Sequence, residues 1–340
     1  MLGIVLVSYN TTHLTMECLR SIAAANDAGP LAVVLIDNSD DDEERQALAQ
    51  ASAELSALPL RRHAMPRNIG FAAACNIGIA ELLADPAIER VLLLNNDAAL
   101  RPGALAALLR FADAHPEADM FGARMHRADH PDQVDSMGIT LYASALASNR
   151  HTAEDTLLGP TGGLALYTRK LLETLQARHG YVFDERYFCY AEDTDVALRS
   201  ILLGFEPAFF DHCVALHWGQ ASTGGGFSDF VLYHGIRNSI WTMAKGIPAG
   251  LLLVLSPLIV LLHGAIVVRH VLGGRARTTW RLYRDALAGL PKMLVSRRRI
   301  QASRTRTGRD VWRFINPTFY ERRYVRHALR DLLPGRRRPA

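Results

Sequence analysis

The sequence predicts an α/β fold: a mostly parallel sheet flanked by helices, with a hydrophobic helical segment and a basic tail at the C-terminal end. Three observations carry that prediction. Strand-like apolar runs and helix-like segments alternate over the first 120 residues, the pattern that builds a parallel sheet covered by helices. Polar clusters stand immediately after three of the strand-like runs. An uncharged stretch of 22 residues, Ile247 to Val268, precedes a region dense in arginine.

The elements follow in order. Leu2 to Val7 is a continuous apolar run bounded by Ser8-Tyr9-Asn10, which suits a strand buried on both faces. It has neither a basic n-region nor a long h-region, so it reads as a first strand and not as a signal peptide. Thr11 or Thr12 caps a helix through Ala25, with Leu14, Cys18, Leu19 and Ile22 on one face. Ala32 to Ile36 repeats the strand pattern and ends at Asp37-Asn38-Ser39-Asp40. A polar helix runs from about Asp41 to Leu55, and a short strand lies near Leu60. Phe71 to Leu83 reads as a helix, and Arg90 to Leu94 as a strand ending in Asn95-Asn96-Asp97. Pro102 opens the next helix, which runs to Ala114. Residues 124–160 are irregular. A further helix, Thr194 to Leu203, stands behind Glu192-Asp193. The four cysteines are scattered without metal-like spacing and read as reduced thiols.

Open α/β sheets bind ligands at the carboxyl ends of their strands, so the three polar tips converge on one crevice. No GxGxxG or GxxxxGK[ST] is present, which removes the dinucleotide fingerprint and the P-loop. The order Val7-Ser8-Tyr9-Asn10, Asp37-Asn38-Ser39, Asn68-Ile69-Gly70-Phe71-Ala72 with Asn76-Ile77-Gly78, and Leu94-Asn95-Asn96-Asp97 resembles the donor half of glycosyltransferase family 2. Gly159-Pro160-Thr161-Gly162-Gly163, Phe183-Asp184-Glu185, Tyr190-Ala191-Glu192-Asp193-Thr194-Asp195, His217-Trp218 and Arg237-Asn238 resemble its acceptor half. The likeness is to the rhamnosyltransferase-like branch.

That resemblance implies a GT-A type, Rossmann-like catalytic domain over 1–245, a membrane-associating segment over 246–270 and a basic helical tail over 271–340. It implies transfer of a sugar from a nucleotide to a hydroxyl of a lipid-linked or cell-envelope glycan, with L-rhamnose from dTDP-rhamnose first in line. UDP-galactofuranose, a UDP-hexose, or a non-catalytic membrane-associated scaffold are the alternatives. Ser8, Tyr9, Asn10, Asp37, Asn38, Arg67, Asn68, Gly70 and Asn96 fall at nucleotide-binding positions, with Asp37 accepting from a pyrimidine N3–H. Asp97 would bind Mg²⁺ or Mn²⁺ with His217, neutralising the diphosphate as a Lewis acid; Asn95 replaces the first acid of the motif.

Asp193 is the expected general base, because transfer to an alcohol requires removal of its proton. Glu192 and Asp195 would orient it or the acceptor. The plainer reading is that acids suit a first helical turn through the macrodipole. Gly162, Gly163 and Trp218 would line the sugar and acceptor pocket, and Arg237 would touch the diphosphate or make a structural salt bridge. A single base implies one displacement with inversion.

The net charge of +4 conceals two opposite regions. Arg269 to Ala340 holds 20 basic and 4 acidic side chains, and the rest of the chain 18 basic and 30 acidic. Such a tail suits nucleic acid or an anionic membrane surface. The neighbouring apolar stretch and the lack of a recognition motif favour the membrane over nucleic acid, with Arg297-Arg298-Arg299 and Arg336-Arg337-Arg338 the densest runs. As a helix, Ile247 to Val268 covers about 33 Å, enough to cross a bilayer. One crossing from a cytosolic domain would export Arg269, Arg275, Arg277, Arg281 and Arg284, against the positive-inside rule. Pro257 and His263 also interrupt it. The expectation is a helical hairpin or interfacial helix, peripheral or monotopic on the cytoplasmic face of the plasma membrane, with a buried core helix pair as the plainer alternative.

Overall fold

The computed structural model describes residues 1–25, 28–56, 58–219 and 228–321. Its first half alternates as the pattern predicts: β1 (Leu2–Ser8), α1 (Thr12–Ala24), β2 (Leu31–Asp37), α2 (Asp42–Ala53), β3 (Leu60–Ala64), α3 (Phe71–Leu83) and β4 (Arg90–Leu94). β5 (Ala98–Leu100), α4 (Ala104–Ala114), β6 (Met120–Arg127), β7 (Val134–Ser136), β8 (Ile139–Tyr142), β9 (Ala147–Asn149) and β10 (Leu164–Thr168) follow. Then come α5 (Arg169–His179), α6 (Glu192–Leu202) and β11 (Pro207–His217). The C-terminal part holds α7 (Asp229–Gly246), α8 (Ala249–Leu272), α9 (Ala276–Ser303), α10 (Gly308–Trp312) and β12 (Ile315–Asn316).

The main sheet has the order β3-β2-β1-β4-β10-β6-β11-β5. β1 to β4 are parallel, with Ser8 opposite Asp37 at the carboxyl ends. Beyond β4 the sheet is mixed: β10 runs antiparallel to both β4 and β6, and β5 antiparallel to β11. The parallel expectation therefore describes its first four strands. β1 shows why its sequence does not alternate in polarity, since Ile4 and Leu6 enter one core and Val5 the other. Leu19, Leu105 and Leu108 cover one face of the sheet, while Ile79, Leu171 and Leu198 cover the opposite face. Removing each such side chain from water contributes roughly 1.5–3 kcal/mol. α2 is held less by its core than by its start. Asp41 accepts from the backbone N–H of Glu43 and Glu44 at 2.9 and 3.0 Å, and only Leu48 of α2 is buried. The irregular stretch after β6 supplies β8 and β9 of a small second sheet, and β12 from the C-terminal part completes it in the order β12-β8-β9.

Residues on both sides of the expected boundary at 245 share one core, because Ile247, Leu255, Ile259, Ile300 and Ile315 pack in the same cluster as Val5 and Val34. The apolar stretch forms one continuous helix, α8, with Pro257 inside it. The hairpin lies elsewhere than expected. The chain reverses at Gly273-Gly274, the latter in the left-handed region that glycine favours. The arginine-bearing α9 is itself the return limb, and His263 Nδ1 meets the Tyr283 hydroxyl across the pair at 2.9 Å. Arg336-Arg337-Arg338 lie outside the described residues.

Candidate active site

A single cleft of about 600 Å³ opens at the carboxyl ends of β1 and β4. Tyr9, Asn38, Asn68 and Gly70 line one part of it, Asn95, Asn96, Asp97 and His217 a second, and Gly162, Gly163, Glu192 and Asp193 a third. Sheet register brings Asp97 and His217 together. β5 pairs antiparallel with β11 so that Ala98 stands opposite His217, and the Trp218 N–H donates to the Asp97 carbonyl at 3.0 Å. Asp97 Oδ1 is then 3.1 Å from His217 Nε2, and Asp135 Oδ2 is 2.9 Å from Nδ1. Burial opposes charge on this imidazole, but the hydrogen bonds to Asp135 and Asp97 outweigh it and raise its pKa to about 10.

Glu192 and Asp193 open α6. The Asp193 carboxylate is tied on both oxygens: Oδ2 accepts from the Gly162 N–H at 3.0 Å and Oδ1 from the Thr194 N–H at 2.6 Å. Burial raises its pKa, and those backbone hydrogen bonds hold the rise back. Glu192 is pushed well above the carboxylate range, first by burial and then by the Asp193 charge.

The segment before α6 is strained. Phe188, Tyr190 and Ala191 all have positive φ, at 67°, 69° and 62°, each costing roughly 1–3 kcal/mol and therefore needing support. Asn238 on α7 supplies it by donating to the carbonyls of Tyr187, Cys189 and Tyr190 at 3.0, 2.8 and 2.8 Å. Gly70 supplies the space. It has φ +84°, and a Cβ there would meet the Phe188 ring at 2.6 Å and its carbonyl at 2.7 Å.

Beneath the strained segment lies a buried charge network. Asp195 bonds Arg199 at 2.8 Å and Lys245 at 3.1 Å, and Lys245 reaches Asp184 at 2.5 Å. Arg199 and Lys245 are both fully buried.

The family profile described as Glycosyl transferase family 2 matches residues 3–176. The chain belongs to this family. An N-acetylglucosaminyl-diphospho-decaprenol L-rhamnosyltransferase of Mycobacterium tuberculosis is 26% identical over 253 residues, covering 66% of this chain and 78% of the relative. Mannosyltransferase PcManGT from Pyrobaculum calidifontis, solved with GDP-Man and Mn²⁺, superposes with a TM-score of 0.52 at 16% identity over 92% of this chain and 85% of that one. GalNAc-T7, solved with UDP, GalNAc and Mn²⁺, gives 0.51 at 14% identity over 72% of this chain, which spans 48% of that structure. The fold is thus the GT-A type of these glycosyltransferases.

In this glycosyltransferase the nucleotide candidates divide into cleft and support. Tyr9, Asn38, Asn68, Gly70 and Asn96 line the cleft. Asn38 and Asn68 are linked, Nδ2 to Oδ1, at 2.8 Å, and Asn96 donates to the hydroxyls of Thr11 and Thr15. Ser8 is buried and bonded to Thr15 Oγ1 at 2.8 Å. Asn10 takes a left-handed φ and donates to Asp40 at 2.7 Å. Asp37 does not line the cleft. Arg62, from the adjacent strand β3, closes its fully buried carboxylate at 2.6 Å, so it stands behind the wall as an ion-pair partner. Arg67 is exposed and outside the cleft.

The acceptor candidates divide likewise. Gly162 and Gly163 line the cleft, and a Cβ on Gly163 would press on Asn95 and Met125 at 3.2 Å. Asp195 faces away into the ion network. Trp218 points outward at 43% exposure and does not line the cleft. Arg237 is a brace and not a cleft-lining group: it donates to the Tyr187 carbonyl at 3.1 Å and sits 4.4 Å over the Trp241 ring.

Sequence reasoning missed Asp135, Phe188 and the α8 residues that border the cleft. Asp135 falls in the irregular stretch 124–160, where no periodicity marked it. Phe188 could have been found from the aromatic run Tyr187-Phe188-Cys189-Tyr190.

Proposed function

We propose that this protein is an inverting glycosyltransferase that moves L-rhamnose from dTDP-rhamnose to a hydroxyl of a lipid-linked glycan of the cell envelope. The observation that carries the reading is one cleft lined by both the Asp97–His217 pair and a half-buried, backbone-anchored Asp193. The sugar and acceptor class are supported by the name of the mycobacterial relative. The donor nucleotide lies against Tyr9, Asn38 and Asn68. Asp193 accepts the proton of the acceptor hydroxyl as that oxygen bonds to the anomeric carbon, and the bond to the diphosphate oxygen breaks on the opposite side. No second carboxylate is needed, because a single displacement inverts the centre. Glu192, beside Asp193 in the cleft, orients the acceptor.

Asp97 offers one oxygen, and His217 offers one nitrogen once Nε2 gives up the proton that it shares with Asp97, while Asp135 bonds the far side of the imidazole. Among the described residues no three ligating side chains form a metal centre. The pair fits Mg²⁺ or Mn²⁺ in the mode where few protein ligands are completed by substrate phosphates. Bound there, the ion would neutralise charge on the leaving diphosphate. The GT-A structures with Mn²⁺ support that choice. The enzyme works at the cytoplasmic face of the membrane, where the basic C-terminal region faces anionic headgroups.

Binding and turnover of dTDP-rhamnose against UDP-sugars, with Mg²⁺ or Mn²⁺, test this directly. Metal-dependent binding of dTDP-rhamnose, lost in Asp97→Ala, with turnover but not binding lost in Asp193→Ala, is the expected result. Binding of a UDP-sugar instead reassigns the donor. No binding by folded protein overturns the activity.

A further inference from the structure

The catalytic cleft does not end at Asp193. It continues between α7 and α8, where Phe230 and Ile236 face Leu262 and Ile266, and it reaches His270 and Arg275. An arm with apolar walls and a basic end suits an amphiphile more than a free sugar. We infer that this arm seats the lipid of a lipid-phosphate acceptor, loaded sideways from a bilayer surface on which α8 and α9 lie flat. The inference rests on the transferase reading and adds where, and from which side, the acceptor enters.

α8 has two contrasting faces. Leu255, Ile259, Leu262 and Ile266 are buried at helical spacing against the body of the protein. A helix that keeps this seam cannot also pass through a membrane. Its other face carries Leu253, Val254, Val260 and Leu261, and α9 adds Trp280 and Leu287. All six are between 61% and 75% exposed. Large apolar side chains exposed in a row are rare on a surface that meets only water. On α8 they recur about every seven residues, so they share one stripe, and Trp280, Leu287 and Leu294 do the same on α9.

The charge beside the stripes decides what covers them. α8 contains no acidic residue, and α9 interleaves Arg277, Arg281 and Arg284 with Trp280 and Leu287. Arginine beside tryptophan and leucine on an exposed helix is the composition of a segment resting in a headgroup layer. Each arginine near an anionic surface strengthens that contact, with Asp285 the one acid of α9 that pairs Arg281 and Arg284. Arg275, at the end of the arm, pairs with Asp229 at 3.4 Å and is still one-third exposed. There it can meet the acceptor's phosphate while the chain lies along Leu262 and Ile266.

The test uses the full chain, vesicles of phosphatidylcholine with or without phosphatidylglycerol, and one acceptor in two forms. These are a long-chain lipid-diphosphate sugar in the vesicles and its water-soluble short-chain analogue. Leu253→Glu with Leu261→Glu should cut binding to phosphatidylglycerol vesicles about tenfold or more, and long-chain turnover with it, while short-chain turnover persists. Ile266→Glu should leave vesicle binding intact and raise KM for the long-chain acceptor about tenfold relative to the short one. Arg275→Ala, which disturbs no core, should change the same ratio in the same direction. Equal loss on both acceptors in the Ile266 and Arg275 variants overturns the lipid seat. Unchanged vesicle binding in the double variant, or a dimer that the double variant dissociates, overturns the bilayer as the partner. If the wild-type protein binds vesicles but glycosylates neither acceptor, the transferase reading fails.

Discussion

Asp193 and Asp195 stand two residues apart in the first turn of α6, and the fold gives them opposite surroundings. Two positions turn about 200° around a helix. Asp193 therefore faces the cleft, where its partners are backbone N–H groups of Gly162 and Thr194. Asp195 faces the interior, where its partners are the cations Arg199 and Lys245. Neutral, fixed donors hold a carboxylate in place without consuming its charge, so Asp193 can still take a proton. Paired cations consume it, so Asp195 serves the frame beneath. The same side chain performs chemistry or architecture according to which face of one turn it occupies.

Isosteric substitutions separate the two most sharply. Asp193→Asn should lower kcat by about 10²–10⁴-fold while the unfolding midpoint stays close to wild type. Asp195→Asn leaves two buried cations with only Asp184 opposing them and should cost about 3–5 kcal/mol of stability in urea unfolding. If Asp195→Asn instead retains stability and loses turnover, the division of labour is wrong.

pH sharpens the same contrast. Asp193 works only when ionised, and burial raises its pKa, so the acid limb of kcat/KM should lie above the ordinary aspartate range. Glu192 is raised further. The stability tied to it is complete at low pH and is lost as pH rises through its folded pKa, and Glu192→Gln should remove that decline. Asp184 has the opposite sign. Burial opposes its charge, but hydrogen bonds and attraction from Arg186 and Lys245 win and lower its pKa. Its stabilisation is present at neutral pH and is lost on acidification. Unfolding midpoints measured across pH should show both slopes, one in each direction.

Smaller again is the effect of the support under the strained segment. Gly70→Ala forces a Cβ against Phe188 and should cost roughly 1–3 kcal/mol. Asn238→Ala removes a donor from three carbonyls, of which Tyr187 keeps Arg237, and should cost about 1–3 kcal/mol, with turnover falling as the segment relaxes. Wild-type turnover in both variants would mean that the backbone before α6 needs no such brace.

The parts legible in the sequence were those with a local cause. The first four strands and the helices between them follow from apolar runs and caps. The polar tips after β1, β2 and β4 follow from where strands end. The Gly70 turn was visible as a glycine, but its reason, the distant Phe188, was not. Asp135 was silent because its place at His217 depends on pairing between β6, β7 and β11. Asp37 and Arg237 stand off the cleft wall, against Arg62 and the Tyr187 carbonyl, for a related reason. A charged residue at a strand tip or beside an aromatic reads alike whether it meets a ligand or a partner such as Arg62 or the Tyr187 carbonyl. Only tertiary packing distinguishes the two. α8 was legible as apolar, while its buried seam depends on the body that it meets.

Arg67 and Asn68 repeat the opening comparison at the smallest scale. They are neighbours on one loop, and both occupy positions that the family resemblance ties to the nucleotide. Asn68 lines the cleft and holds Asn38 and the Gly70 N–H through Oδ1. Arg67 is exposed and does not line it. Asn68→Ala should therefore weaken donor binding measurably. Arg67→Ala should change stability by no more than about 0.5 kcal/mol and leave the donor Kd unchanged. Its long side chain could swing inward only by giving up water on a surface where it is already solvated, so a free guanidinium has little to gain. Titration calorimetry with dTDP-rhamnose decides the point. A large loss of affinity in Arg67→Ala would mean that the donor draws this side chain over the cleft, and the wall formed by Tyr9, Asn38 and Asn68 would then be incomplete without it.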